Sequence, residues 1–266
     1  VGPFVLRSYT ILLDVTILLG LGSLAWRGRQ TDGRPAAWVD AGLVALAGGI
    51  IGGRLSHVAI HWAYFSEHVA DIIRVWQGGL DWHGAVVAGL AGLYLGCRLR
   101  RIDWRHATDS LSTILPAGAA LVYTACLASR CAYGREVPSL AGYPPLVVAE
   151  LPDLYGIVLP RLSSQLLGIG LSVALVLVAW LLMPLIRHPG VRLWIMLTLV
   201  GLASFGVGFT LGEPEPLIGS LRLGQVLDLL VSTIGAVGAA CSAWFCPLPP
   251  KPTRSDRPAA APAQGG

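Results

Sequence analysis

Seven stretches of this chain are apolar for long enough to matter: about residues 5 to 26, 41 to 64, 83 to 98, 110 to 129, 163 to 186, 193 to 211 and 223 to 245. A run of ~20 such residues crosses the hydrocarbon of a bilayer as a helix. Backbone groups have no water to bond there, so each run must satisfy its own amides and carbonyls. The expected fold is therefore an all-α polytopic membrane protein of about seven spans, residues 1–245, followed by a disordered tail over 246–266 rich in Pro and Ala. Composition agrees, with 54% hydrophobic and 13% charged residues and a mean hydropathy of +0.65. The first run has no cationic flank or small-residue cleavage site and is read as a span, not a signal.

The net charge of +4 comes from 18 Arg and one Lys spread between apolar runs. No basic face results, which argues against nucleic acid as a partner. Counting Arg and Lys in the connections gives twelve on one side and six on the other. By the positive-inside rule the first side is cytoplasmic, so the N-terminus and residue 83 lie outside and the C-terminus inside. Two outer connections stand out: 65 to 82, read as a short interfacial helix, and 130 to 162, the longest loop. The Gly-rich third run, "GAVVAGLAG", predicts close helix packing. Cys126 and Cys131 are five apart, on different faces of a continuing helix, so neither a bridge nor a metal is expected there.

Ionisable groups inside spans are costly and point to function. Arg54, His57 and His61 share one helical face in the second run, with His61 nearest the outer surface. His83 opens the third run after "GGLDW", and Tyr9 lies at the outer end of the first. The polar groups thus gather in an outer-leaflet-facing cavity. A helix N-terminus disfavours an imidazolium, which would leave His83 a neutral base, while Asp81 works the other way. Arg135, in "CAYGRE", suits a lipid phosphate. A haem held by His57, His61 and His83 is disfavoured because these residues step through different depths.

These residues resemble the bacterial prolipoprotein diacylglyceryl transferases. The matching stretches are "GPFVLRSY", "GGRL", "GGLDWHGAVVAG", Asp109 with "LPAGAALVYTACLASRCAYGRE", then "FGVGFTLGE" and "GSLRLGQVLDL". The resemblance implies an enzyme of the bacterial inner membrane that moves the diacylglyceryl group of phosphatidylglycerol to the lipobox cysteine thiol of a preprolipoprotein. It implies His83 as base or orienting group, Arg54 and Arg135 on the phosphate, and Tyr9, Asp109 and Gln165 as further substrate-binding residues. No metal or organic cofactor is needed; membrane lipid and the preprotein are the partners. Val122-Tyr123 stands where the family has Gly-Arg. Gly208 to Gly212 lacks the family's acid and second arginine, and "LSSQLLG" keeps only Gln165 and Leu166 of another motif. The alternative is a non-catalytic lipid-binding or scaffolding subunit derived from that family.

Overall fold

The computed structural model describes residues 8–153 and 155–245. The expectations for Arg7 and for the tail after residue 245 fall outside these residues. The chain forms α1 (Ser8–Thr31), α2 (Pro35–Ile60), a single turn α3 (Trp62–Phe65), α4 (Trp82–Arg100), α5 (Trp104–Leu111) and α6 (Ile114–Ser129). A hairpin of β1 (Val148–Pro152) and β2 (Val158–Leu162) follows, then α7 (Ser164–Leu182), α8 (Val191–Gly208), a two-residue hairpin of β3 (Leu217–Ile218) and β4 (Leu221–Arg222), and α9 (Leu223–Phe245). The molecule is an all-α polytopic membrane protein with small hairpins confined to its connections.

Among the described residues six helical segments are long and apolar enough to cross a membrane, α5 and α6 counting as one from Trp104 to Ser129. The seventh expected span corresponds to α4. Its 19 residues reach about 28 Å at ~1.5 Å per residue, just short of a ~30 Å hydrocarbon core, and Arg98 and Arg100 occupy its last turn.

Nevertheless α4 packs against α2 along its whole length, and the reason lies in the glycines. Lipid tails are as apolar as leucine, so spans associate by close van der Waals contact, which needs small side chains. A Cβ on Gly92 would lie 2.6 Å from the Val44 carbonyl oxygen, one on Gly48 2.7 Å from that of Ala88, and one on Gly96 2.7 Å from Ala41 Cα. These neighbours are backbone and cannot step aside. Gly92→Val should therefore destabilise the protein by roughly 3 kcal/mol, the upper end for overpacking, and lower its melting temperature in detergent. Gly22→Ala, where nothing lies within 4 Å, should leave the melt unchanged.

The two connections expected on the outer side differ from expectation in their structure. Residues 66–80 form two 3-10 turns, Val69–Ile73 and Val75–Gln77, and no α-helix. Trp62, Tyr64, Val69, Ile73 and Trp76 are exposed there, the mixture suited to a membrane–water interface. In the longest connection Cys126 and Cys131 form a disulfide with Cα atoms 4.5 Å apart, overturning the expected absence of a bridge. Helical spacing would separate the pair, but α6 ends between them. Arg130 takes the left-handed conformation at φ 65° and turns the chain back, so that the Cys131 amide donates to the Cys126 carbonyl at 3.1 Å.

Candidate active site

The turn entering α4 sets the position of His83. Gly78 and Gly79 have φ of 95° and 74°, a region glycine enters without steric cost, and the chain then extends through Asp81, the N-cap of α4. The Asp81 amide is tied to the Gly53 carbonyl of α2 at 3.0 Å. Its Oδ1 accepts from the Gly84 amide at 2.9 Å and from Ser56 Oγ at 2.7 Å. The sequence places this carboxylate correctly for a cap, since an Asp before a helix satisfies amides that lack intrahelical partners.

His83 comes one residue into α4 and is buried. Its Nδ1 lies 2.9 Å from Asp81 Oδ2, and its Nε2 lies 3.0 Å from Asp228 Oδ1 on α9. Asp228 is also buried, at 5% exposure, and was not singled out in the sequence. The available signal was its presence as an acid inside the apolar run "GQVLDLLVS".

This geometry replaces the neutral, open imidazole expected at the helix N-terminus. Each close contact between a ring nitrogen and a carboxylate oxygen holds one proton, because two lone pairs at that distance repel. The three side chains therefore share two protons and carry one net negative charge. For Asp81, burial opposes the charge. Hydrogen bonds from His83, the Gly84 amide and Ser56 outweigh it and hold the carboxyl down to about 2.

Arg54 is buried and lies across the same turn, yet its guanidinium does not face an open chamber. Nε donates to the Ile72 carbonyl at 2.8 Å, and Nη1 to those of Gly78 and Gly79 at 2.7 and 3.0 Å. Nη2 donates to the Asp71 carbonyl. These bonds are structural: Arg54 gathers the 66–80 segment and the glycine turn that leads into Asp81. The rings of His57 and His61 lie beside it, tilted at 36° to each other with centroids 4.3 Å apart.

Arg135 is exposed, and its side chain meets no acceptor among the described residues. Its backbone is fixed on both sides, its amide donating to the Thr210 carbonyl at 2.8 Å and its carbonyl accepting from the Leu162 amide at 3.1 Å. Next to it, Gly134 pairs with Leu211, whose carbonyl accepts from Arg222 Nη1 at 2.9 Å. Arg222 lies just before α9, the helix that carries Asp228. The cation and the His83 unit thus share α9 as a common support.

The other expected site residues separate. Asp109 has a structural part: its oxygens accept from the Gly190 and Arg192 amides at 2.9 and 3.2 Å, capping the start of α8. It follows closely on the far end of α4, almost a helix length from His83. Gln165 is buried in the first turn of α7 and donates to the Cys131 carbonyl at 3.0 Å. Tyr9, on the first turn of α1, stands half-exposed. Arg161 is buried and pairs with Glu136 at 2.9 Å and Asp153 at 3.2 Å, so it staples the β1–β2 hairpin. Tyr123 lines a small cavity with Gly168, Ser172 and Ser204.

A family model described as prolipoprotein diacylglyceryl transferase matches residues 1–241. The chain is similar to a phosphatidylglycerol-prolipoprotein diacylglyceryl transferase of Cupriavidus metallidurans, at 29% identity over 89% of this chain and 88% of that protein. The protein of the same name from Cupriavidus necator is 28% identical over 86% and 85%. That from Rhodococcus jostii is 35% identical over 51% of this chain and 39% of its own.

Proposed function

Because the chain belongs to the prolipoprotein diacylglyceryl transferase family, whose model matches residues 1–241, we propose that it transfers the diacylglyceryl group of phosphatidylglycerol to the lipobox cysteine thiol of a secreted preprotein. It works in the bacterial inner membrane with seven spans, counting α4, with its N-terminus outside and C-terminus in the cytoplasm. The observation that carries the reading is the buried His83 unit, at the motif the family resemblance singled out.

The chemistry asks for two things. A thiol must lose its proton before it attacks an sp3 carbon, and negative charge gathers on the departing glycerol phosphate. The net-negative His83 unit suits the first task and would repel a phosphate, so the second belongs to a cation elsewhere. Arg135 is exposed, carries a fork that fits a phosphate and is held by backbone bonds on both sides. Arg54 serves indirectly by fixing the turn that aims Asp81 and His83.

The test is transfer itself, measured with radiolabelled phosphatidylglycerol, a lipobox-cysteine peptide and the purified protein in detergent. Label on the peptide is the expected result. The second reading, a lipid-binding subunit without catalysis, is favoured by Tyr123 and Leu211 standing where the family has arginines. Binding of phosphatidylglycerol with no transfer under any condition that activates a family relative would establish it instead.

A further inference from the structure

We propose that Asp228 is the catalytic residue that takes the proton of the acceptor thiol, with His83 as the fixed bridge beside it. This rests on the transferase reading above.

The argument counts acceptor positions. Both ring nitrogens of His83 are engaged, Nδ1 with Asp81 and Nε2 with Asp228, so the imidazole has no lone pair left for a thiol proton. Both oxygens of Asp81 are engaged as well: Oδ1 takes the Gly84 amide and the Ser56 hydroxyl, and Oδ2 takes His83. Asp228 commits only Oδ1. Its Oδ2 accepts from no group among the described residues, and it is not one of the buried atoms sealed without a partner. That oxygen is the one carboxylate oxygen of the unit with no donor among the described residues, and so the most open acceptor.

The surroundings favour filling it. Around Asp228 stand His83 and Asp81 from α4 and its cap, Tyr123 from α6, and Glu215 from the connection before α9. Ser232 on α9 bonds the Asp228 carbonyl at 2.8 Å. A Cβ on Gly201 of α8 would lie 3.0 Å from that same carbonyl oxygen, so α8 packs closely on α9 at the level of the acid. With two shared protons the His83 unit carries one negative charge, and a third proton neutralises it, the less costly state for groups this buried.

The step balances without further reactants. The thiol S–H bond breaks and its proton passes to Asp228 Oδ2. The thiolate forms a C–S bond to the glyceryl carbon while the C–O bond to phosphorus-bound oxygen breaks, its electron pair leaving with glycerol phosphate. That phosphate then takes the proton from Asp228, which restores the carboxylate.

A selenocysteine peptide tests this, because a selenol ionises at neutral pH without a base. Asp228→Asn should lower transfer to the cysteine peptide ~100-fold or more and transfer to the selenocysteine peptide less than about tenfold. Asp228→Glu should retain part of the cysteine activity. Phosphatidylglycerol binding identifies folded protein, and Asp228→Ser serves if the Asn variant fails to fold. Equal losses on both peptides, or an unchanged cysteine rate, would overturn the proposal. A wild-type protein that transfers to neither peptide sinks the transferase reading, a distinct outcome.

Discussion

Replacing His83 with alanine is expected to lower transfer by ~100- to 10,000-fold, the range associated with positioned acid–base groups. The loss has two physical sources. Without the imidazole, Asp81 and Asp228 lose their shared partner at 2.9 and 3.0 Å, and the proton-accepting oxygen of Asp228 is no longer aimed. Breaking a buried charge pair by removing one member also costs roughly 3–5 kcal/mol of stability, so the melting temperature should fall in the same variant. A milder change, His83→Gln, keeps one donor and should recover much of the stability but little of the activity. The measurement is therefore a pair: initial transfer rate and thermal unfolding in one detergent. A His83→Ala protein with transfer within tenfold of the wild type would remove the histidine from the mechanism.

The second large effect is expected at Arg54. Its guanidinium is the common partner of the carbonyls of Asp71, Ile72, Gly78 and Gly79, and no short side chain reaches all four. In Arg54→Ala these acceptors turn to water and the 66–80 segment loosens while the spans remain packed. Trypsin should then cut after Arg74 much faster than in the wild type, and amides of the segment should exchange faster. Transfer should fall ~100-fold, because the same turn sets Asp81 and a misplacement near 1 Å has that order of effect. Lysine should not rescue: a compact ammonium lacks the planar fork that spans diverging carbonyls. Unchanged cleavage together with lost lipid binding would instead return Arg54 to the phosphate.

The contrast between Arg54 and Arg135 illustrates how far composition reaches. Both were expected on a phosphate, since an arginine near a lipid surface fits one. Burial decided differently: the covered arginine found backbone carbonyls, and the exposed one kept its fork open. Asp109 behaved alike, an acid in a family-like stretch whose oxygens cap α8. The disulfide depended on one residue, Arg130, whose left-handed conformation ended α6 before Cys131.

What the sequence by itself determined is the set of apolar helices, the close packing written in the glycines of the third run and the singular placement of His83. These follow from local rules: length against bilayer thickness, side-chain size and helix-end chemistry. The partner of His83 was different in kind. Asp228 is separated from it by 145 residues, and helices apolar on nearly every side carry no stripe that states which way they turn. Only packing fixed the rotation and depth of α9 against α4. That fit alone set an acid against the histidine's second nitrogen.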